Sequence, residues 1–216
     1  MELTLAAAFS SSALLLSNFA SILLASWRLK ARRVIPASSG NQPPVSIVVP
    51  SRGVEPFTGE TLDRAFSLDW PRYELIFCVA HANDPVVGLI NAAIARFPKV
   101  PARLLVGDDR ISANPKLNNC VKGWQVARHD WVILADSNVL MPKDYVQHLM
   151  AAWRPDTGLV CSTPVGSRPA GFWAEVECAF LNTLQARWQY AGEALGLGFA
   201  QGKSMLWNKP MLDAHG

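Results

Sequence analysis

The sequence lacks the features that mark several common classes of protein. Its formal net charge is only +3 over 216 residues, and no run of lysine and arginine is interleaved with aromatic residues, which argues against a nucleic-acid surface. Its four cysteines include no C-x-x-C pair and no histidine spaced to complete a zinc site. Since three of them lie in apolar stretches, we predict buried free thiols in a reducing compartment. Half of the residues are hydrophobic, which argues against a disordered chain.

Two familiar nucleotide-binding loops are also missing. The chain has no G-x-x-x-x-G-K-[ST], the loop of the P-loop ATPases. Its late glycines do not form the G-x-G-x-x-G of dinucleotide-binding proteins, and they follow a predicted helix where that loop would follow a strand. These glycines are Gly192, Gly196, Gly198 and Gly202.

The amino-terminal segment contains no charged side chain over residues 3–27. About 25 helical residues, each rising 1.5 Å, would cross a hydrocarbon core about 30 Å thick. A cleaved signal peptide is the alternative, but it would have positive charge before the apolar run, whereas here Arg28 and Lys30 come after it. That bias also places the rest of the chain in the cytoplasm. We predict a single membrane anchor over residues 1–30 and a proline-containing linker over residues 31–44.

Beyond the linker, short apolar runs alternate with stretches of helical pattern. The predicted strands cover residues 45–49, 73–79, 103–106 and 131–135, and the predicted helices cover residues 58–67, 85–97 and 116–127. This alternation predicts a doubly wound, mostly parallel α/β sheet, in which ligands bind at the carboxyl ends of the strands. The segments that follow the strands are residues 50–53, 81–84 and 136–138.

Asp84 follows the second predicted strand and precedes Pro85. An aspartate before a proline is a favourable cap for a helix that has proline at its first position. A carboxylate at a strand end can also accept hydrogen bonds from a uracil N–H or from ribose hydroxyls. The two roles are compatible, so helix capping and nucleotide binding both stay open.

Asp136 follows a strand of apolar residues and is succeeded by Ser137 and Asn138. A Mg or Mn ion that bridges two phosphates needs only one or two protein oxygens, because phosphates and water supply the rest. Asp136, helped by the carbonyl oxygen of Asn138, meets that requirement, and an ordinary Asx-turn is the alternative.

Lys116 lies in a polar segment, residues 114–119, that opens a predicted helix. The backbone N–H groups at a helix start, together with a lysine, attract phosphate or order a nearby acidic loop. The alternative is a solvated capping segment without a ligand.

An aromatic-rich stretch shows apolar residues at every fourth position, which predicts a helix with a wide apolar stripe. The stripe consists of Phe172, Val176, Phe180, Leu184 and Trp188. Such a helix packs on its own sheet, or it lies at a membrane interface where tryptophan rings favour the headgroup level.

Taken in order, these motifs resemble the ceramide glucosyltransferase family, a membrane-bound branch of the inverting GT-A glycosyltransferases. The match covers nearly everything after the linker, so we expect a GT-A domain over residues 45–216. The matching residues include Val45–Pro50, Arg52-Gly53-Val54, Leu68-Asp69-Trp70-Pro71, Asp84-Pro85, Asn114-Pro115-Lys116-Leu117-Asn118-Asn119, Asp136-Ser137 and Gly202.

The resemblance implies transfer of glucose from UDP-glucose to the primary hydroxyl of ceramide, with inversion at the anomeric carbon and a divalent Mg or Mn ion. It would place the protein in sphingolipid and glycolipid biosynthesis. The residues expected at the nucleotide sugar are Pro50, Arg52, Asp84, Lys116 and Asp136, and those expected at the metal are Asp136 and Asn138.

Two departures from the family pattern concern the acceptor. The third acidic motif, which supplies the general base, and a later Gln/Arg-x-x-Arg-Trp motif are expected beyond Gly216. A run similar to the second motif occupies residues 185–188, but it lies earlier in the chain than that motif is expected. At this place Gln185 replaces a histidine of the eukaryotic members. We expect Phe180, Gln185 and Trp188 at the acceptor or membrane face.

Two further hypotheses remain. The same fold could act on a hopanoid or diacylglycerol, or use UDP-GlcNAc as donor. Alternatively, the chain is a non-catalytic, membrane-anchored nucleotide-binding module.

Overall fold

Helices and strands alternate through most of the chain in the computed structural model, which describes residues 2–31 and 42–215. The strands are β1 (Val45–Pro50), β2 (Tyr73–Val79), β3 (Ala102–Val106), β4 (Trp131–Ala135), β5 (Val160–Cys161) and β6 (Ser204–Asn208). The helices are α1 (Glu2–Ala31), α2 (Thr58–Ala65), α3 (Val86–Arg96), α4 (Pro115–Val126), α5 (Tyr145–Ala152), α6 (Phe172–Ala179), α7 (Ala186–Ala194) and α8 (Lys209–His215). A π-helical segment (Phe180–Gln185) joins α6 to α7.

The described residues form two compact units. The sheet unit comprises residues 42–162 and 200–215, and the helical unit comprises residues 2–31 and 163–199. The predicted linker over residues 31–44 falls mostly outside the described residues. The predicted boundaries of an anchor and one following domain stay a prediction.

The sheet unit contains a six-stranded sheet in the order β3-β2-β1-β4-β6-β5. The four predicted strands pair in parallel, whereas β6 runs antiparallel to both β4 and β5. The prediction of a mostly parallel α/β sheet is therefore confirmed. Strands β5 and β6 were missed because one is only two residues long and the other, Ser204–Asn208, mixes polar and apolar residues.

The core lies on both faces of the sheet, because every residue of β1 and β2 is buried. On one face Ile47, Phe77 and Ile133 pack with α2, α3 and α5. On the other face Val48 and Cys78 pack near α4. Burial on both faces explains the continuous apolar runs that made these strands recognisable. Each such side chain contributes about 1.5–3 kcal/mol when fully removed from water.

Helix α4 owes its start and its close packing to two particular residues. Asn114 caps the helix, since its side-chain oxygen accepts hydrogen bonds from the N–H groups of Lys116 at 3.0 Å and Leu117 at 3.4 Å. Gly123 faces the sheet, where an added Cβ would lie 3.0 Å from Cys78 Sγ and closer still to Val48. Capping by Asn114 is therefore observed, but Asn118 and Asn119 are buried, so the segment is not solvated throughout.

In the helical unit, α1 spans 30 residues and is long and apolar enough to cross a membrane. Its buried side chains, Ser21, Ala25 and Arg28, follow helical spacing, and α1 packs against α7. Arg28 forms an ion pair with Glu193 of α7. Helix α6 and the π-helical segment bury none of their residues.

Candidate functional site

A cleft of about 580 Å³ opens at the carboxyl ends of the parallel strands in the sheet unit. This volume lies within the range of about 300–1,000 Å³ that is typical of small-molecule sites. The cleft is lined by all six residues predicted for the nucleotide sugar and the metal, namely Pro50, Arg52, Asp84, Lys116, Asp136 and Asn138. Parallel strands explain the convergence, because segments that are distant in sequence emerge at one edge of the sheet.

Asp84 fixes the shape of one wall of the cleft. Both of its carboxylate oxygens accept from the backbone N–H of Gly53, at 3.0 and 3.1 Å. One of them also accepts from the N–H of Val86 at 3.0 Å, at the start of α3. Gly53 has a left-handed φ of +67° that favours glycine. Asp84 therefore acts as a cap and also ties the loop after β1 to the loop after β2.

Asp136 lies between two lysines at the end of β4. Its Oδ1 is 2.5 Å from Nζ of Lys116, and its Oδ2 is 3.1 Å from Nζ of Lys203. The Asp136 side chain is only 15% exposed. Its Oδ1 has no hydrogen-bond partner among the described residues, so the close contact with Lys116 is an ion pair without hydrogen-bond alignment. Each oxygen of this largely buried carboxylate therefore faces a lysine ammonium group.

Asn138, the second predicted metal ligand, shares one of these lysines. Its side-chain Oδ1 accepts a hydrogen bond from Nζ of Lys203 at 3.0 Å. The loop that carries both residues is closed by a backbone hydrogen bond from Val139 N to Asp136 O at 3.1 Å. The acceptor is the backbone carbonyl of Asp136, so this bond forms a backbone turn and not the Asx-turn that was the alternative. The turn directs the two oxygen-bearing side chains to the same ammonium group.

The donor set at this edge suits a hard cation that also receives oxygens from a bound ligand. Among the described residues, no cluster of three His, Cys, Asp or Glu groups could hold a metal ion unaided. The cleft lining nevertheless holds more carboxylates than cations: Glu55, Asp84, Asp108 and Asp136 against Arg52 and Lys116. The oxygens of Asp136 and Asn138, which contact only lysine ammonium groups, and the carboxylates of the cleft lining fit a divalent ion that would be completed by phosphate oxygens.

Two ionisable groups near Asp136 are held in their neutral form. Burial raises the pKa of Tyr145, whose hydroxyl donates to Ser204 Oγ at 2.8 Å. Burial likewise raises the pKa of the Cys120 thiol to about 11, although Lys116 opposes the shift. Neither group therefore supplies an anionic nucleophile or a proton acceptor at neutral pH.

Sequence reasoning missed three ionised residues of this edge. Asp108 follows β3 and would have been predicted if the residues after that strand had been considered, as they were for the other strands. Glu55 lies in the loop after β1 and carries no separate signal. Lys203 precedes the unpredicted strand β6, so nothing in the sequence placed it beside Asp136.

The residues predicted for an acceptor or membrane face belong to the helical unit. Phe180 begins the π-helical segment, Gln185 ends it, and Trp188 lies in α7. Phe180 and Trp188 are exposed. Residues at every fourth position shift gradually around an α-helix, because one α-helical turn takes only about 3.6 residues. A π turn takes more residues, so the π-helical segment offsets this shift and keeps the apolar stripe on one face.

Comparison with known proteins gives a consistent result. The model of the family described as "Glycosyl transferase family 21" matches residues 13–216. Ceramide glucosyltransferase 3 of Caenorhabditis elegans is 28% identical over 176 residues, which are 81% of this chain and 38% of that protein. Ceramide glucosyltransferase of Komagataella phaffii is 40% identical over 99 residues, which are 44% of this chain and 19% of that protein. The chain thus spans well under half the length of these relatives.

Among solved structures, a mannosyltransferase from Pyrobaculum calidifontis in complex with GDP-Man and Mn2+ superposes with a TM-score of 0.60. The superposition covers 94% of this chain and 56% of that one, at 17% sequence identity. Likeness at this level of identity concerns the fold. The expected GT-A architecture is confirmed.

Proposed function

The chain belongs to glycosyl transferase family 21, and from that premise we propose that it takes part in moving glucose from UDP-glucose to ceramide, with inversion. The observation that carries the proposal is the convergence of Asp84, Lys116 and Asp136 in one cleft at the carboxyl edge of the sheet. This edge is where α/β sheets of this kind bind nucleotides. The ceramide glucosyltransferases among its relatives favour a lipid acceptor and a glucosyl group.

The nucleoside end of the donor would bind between the loops after β1 and β2. Asp84 holds the backbone of Gly53 there, so the wall beside Pro50 and Arg52 is set before a ligand arrives. A carboxylate has about four lone-pair sites, and those of Asp84 that the backbone does not use are available for a uracil N–H or ribose hydroxyls. Arg52, which is exposed at the rim, supplies a cation for the phosphates.

The diphosphate would bind where Lys116 and Asp136 face the cleft. A divalent Mg or Mn ion held by Asp136 and Asn138 would neutralise charge on the departing UDP. Lys116 contributes an ammonium group 2.5 Å from Oδ1 of Asp136. Inversion needs no covalent intermediate on the enzyme, which agrees with the neutral state of Cys120 and Tyr145. We assign no general base among the described residues.

The helical unit would hold the protein at the cytoplasmic face of the membrane. Helix α1 has the length and composition of a span, and Arg28 and Lys30 at its end fit the positive-inside rule. The exposed aromatic stripe, with Phe180 and Trp188, would lie at the headgroup level where a lipid acceptor enters. Gln185 lies on the same segment.

The two ends of strand β4 provide a matched test of this proposal. Asp136→Ala removes the carboxylate at the carboxyl end, whereas Asp130→Ala removes an exposed one just before the strand begins. Lipids of cells that express the full-length protein would be analysed by mass spectrometry for glucosylceramide. We expect Asp136→Ala to lower product at least about a hundredfold, while Asp130→Ala leaves it unchanged.

The same measurement separates the remaining hypotheses. Full activity of folded Asp136→Ala protein would overturn the role of Asp136. A glycosylated hopanoid or diacylglycerol, or a GlcNAc-bearing lipid, would identify another acceptor or donor. If the wild-type protein binds UDP but produces no glycolipid, the result would favour the non-catalytic nucleotide-binding module.

A further inference from the structure

Lys203 is a half-exposed lysine whose ammonium group contacts both predicted metal ligands. We propose that Lys203 is a second cation for the donor diphosphate: it neutralises Asp136 in the free protein and pairs with phosphate oxygens when the nucleotide binds. This inference rests on the proposed function and adds a binding residue to the same site.

The topology of the sheet brings Lys203 beside Asp136 and Asn138, two residues that line the cleft. Strand β6 runs antiparallel to β4, so its beginning lies at the edge where the parallel strands end. The backbone N–H of Asp136 donates to the carbonyl oxygen of Lys203 at 3.0 Å, which holds the two residues side by side. Lys116 Nζ is also anchored here, since it donates to the carbonyl oxygen of Gly202 at 3.2 Å.

The charges around Asp136 exceed what its neutralisation requires. One carboxylate faces two ammonium groups, at 2.5 Å from Lys116 and 3.1 Å from Lys203. A single lysine already balances the charge of Asp136, so the pair of lysines leaves a local excess of one positive charge. This excess is local to Asp136, since the cleft lining as a whole holds more carboxylates than cations, and it favours an anionic ligand at this point of the cleft.

Lys203 is also free to change partners at small cost. Its side chain is 42% exposed, and ion pairs of this exposure contribute little to stability because water screens them. A lysine is a compact charge on a flexible stem, so its ammonium group can reach several positions from one backbone site. If Asp136 and Asn138 were to hold a divalent ion, the ammonium group of Lys203 would lose these two acceptors, and phosphate oxygens of the donor would replace them.

A purely structural role would have different consequences. If Lys203 served only to hold Asp136 in place, its loss would have no further effect on UDP affinity once Asp136 is replaced by Asn. If it binds the diphosphate, its loss weakens UDP in that background as well and leaves uridine unaffected. The effect of Lys203→Met on UDP affinity, measured in the wild-type and in the Asp136→Asn background, distinguishes the two roles.

The test uses the full chain in lipid nanodiscs with Mn2+ present, and titration calorimetry with UDP and with uridine. Lys203→Met keeps the length of the side chain and removes the charge, and Lys203→Arg retains the charge. Lys99→Met is the control, because Lys99 is exposed in the loop before β3, at the opposite edge of the sheet. Loss of a charge-assisted contact should weaken UDP about tenfold to a hundredfold in Lys203→Met.

The inference predicts unchanged uridine affinity in Lys203→Met, partial recovery of UDP affinity in Lys203→Arg, and no change in Lys99→Met. Equal UDP affinity in Lys203→Met and Lys99→Met would overturn it and leave the proposed function intact. Loss of the Lys203→Met effect on UDP affinity in the Asp136→Asn background would also overturn it, in favour of the structural role. Absence of UDP binding to the wild-type chain would overturn the proposed function and this inference together.

Discussion

The sheet unit and the helical unit are both rich in large apolar side chains, yet they place them in opposite environments. In the sheet unit, Ile47, Phe77 and Ile133 are at most 1% exposed. In the helical unit, Phe172 is 68% exposed and Trp173 79% exposed. Soluble proteins rarely expose contiguous apolar patches of this kind. The difference indicates that the first unit completes its core internally, whereas the second leaves large apolar side chains exposed.

The polar groups of the two units are also distributed differently. In the sheet unit, Asp84 and Asp136 contact neighbouring residues at the carboxyl edge. Near the starts of β1 and β2, the buried Glu74 makes further polar contacts. In the helical unit a charged pair, Arg28 and Glu193, ties the end of α1 to α7. The comparison therefore separates a region with a polar cleft from a region with an exposed apolar surface.

The largest expected contrast concerns stability. Ile133→Ala removes a fully buried side chain whose strand neighbours are Ile47 and Leu206, and it should cost about 2–5 kcal/mol. Trp173→Ala removes an exposed ring and should change stability by less than about 0.5 kcal/mol. Chemical denaturation of the full chain in detergent micelles measures both. Similar losses in the two variants would mean that the helical unit buries its aromatic residues.

A second prediction concerns the close packing of α4 on the sheet. Gly123→Ala would push a methyl group into Val48 and Cys78 and should cost about 1–3 kcal/mol. Gly158→Ala is the matched control, because an added Cβ there meets nothing within 4 Å. The same denaturation measurement applies. If Gly123→Ala were as stable as the wild type, the close packing of α4 on the sheet would be contradicted.

A smaller effect is expected from pH. Burial raises the pKa of Cys78 to about 12 and that of Cys120 to about 11, from an ordinary value of 9.0. Above pH 9 these thiols ionise in the unfolded chain but stay protonated in the folded one, so unfolding releases protons and stability falls as pH rises. The loss between pH 9 and pH 10 should be about 1 kcal/mol for each thiol.

The variant Cys78→Ala/Cys120→Ala should lose correspondingly less stability over that interval, whereas Cys178→Ala should behave like the wild type. Denaturation curves at pH 8, 9 and 10 provide the comparison. Identical pH dependence in all three proteins would contradict the buried, protonated state of the two thiols.

The smallest change in stability is expected at the exposed stripe, so the quantity to measure there is the environment of the side chain. A spin label at Trp188→Cys should be accessible to oxygen in nanodiscs and shielded from a water-soluble nickel complex. A label at Lys99→Cys should show the reverse. Both would be placed in a Cys161→Ser/Cys178→Ser background. Equal accessibility to nickel at the two positions would contradict the proposed contact between the stripe and the membrane.

The parts of the fold that depend on local pattern could be predicted from the sequence. Strands Tyr73–Val79 and Trp131–Ala135 were predicted with the bounds that the structure gives them, because both are short apolar runs between polar segments. Strand β6 could not be predicted, because its place in the sheet depends on pairing with β4 and its own residues mix polar and apolar types.

The candidate site shows the same division. Strand-end aspartates such as Asp84 and Asp136 follow from the alternation of strands and helices. Their partners do not, because Gly53 and Lys203 reach them through contacts between segments far apart in the chain. Roles that depend on such contacts can be recognised only in the three-dimensional structure. One example is the simultaneous contact of Asp84 with Gly53 and Val86.

Calorimetric titration of UDP into the full chain in nanodiscs with Mn2+, for the wild type and Asp136→Asn, tests the central claim most directly. Asparagine keeps the shape of the side chain and removes its charge, so the fold is retained while the divalent ion loses its ligand. We predict that the wild type binds UDP and that Asp136→Asn binds it at least about tenfold more weakly. Equal UDP affinity in the two folded proteins would contradict a nucleotide-sugar site at this edge of the sheet.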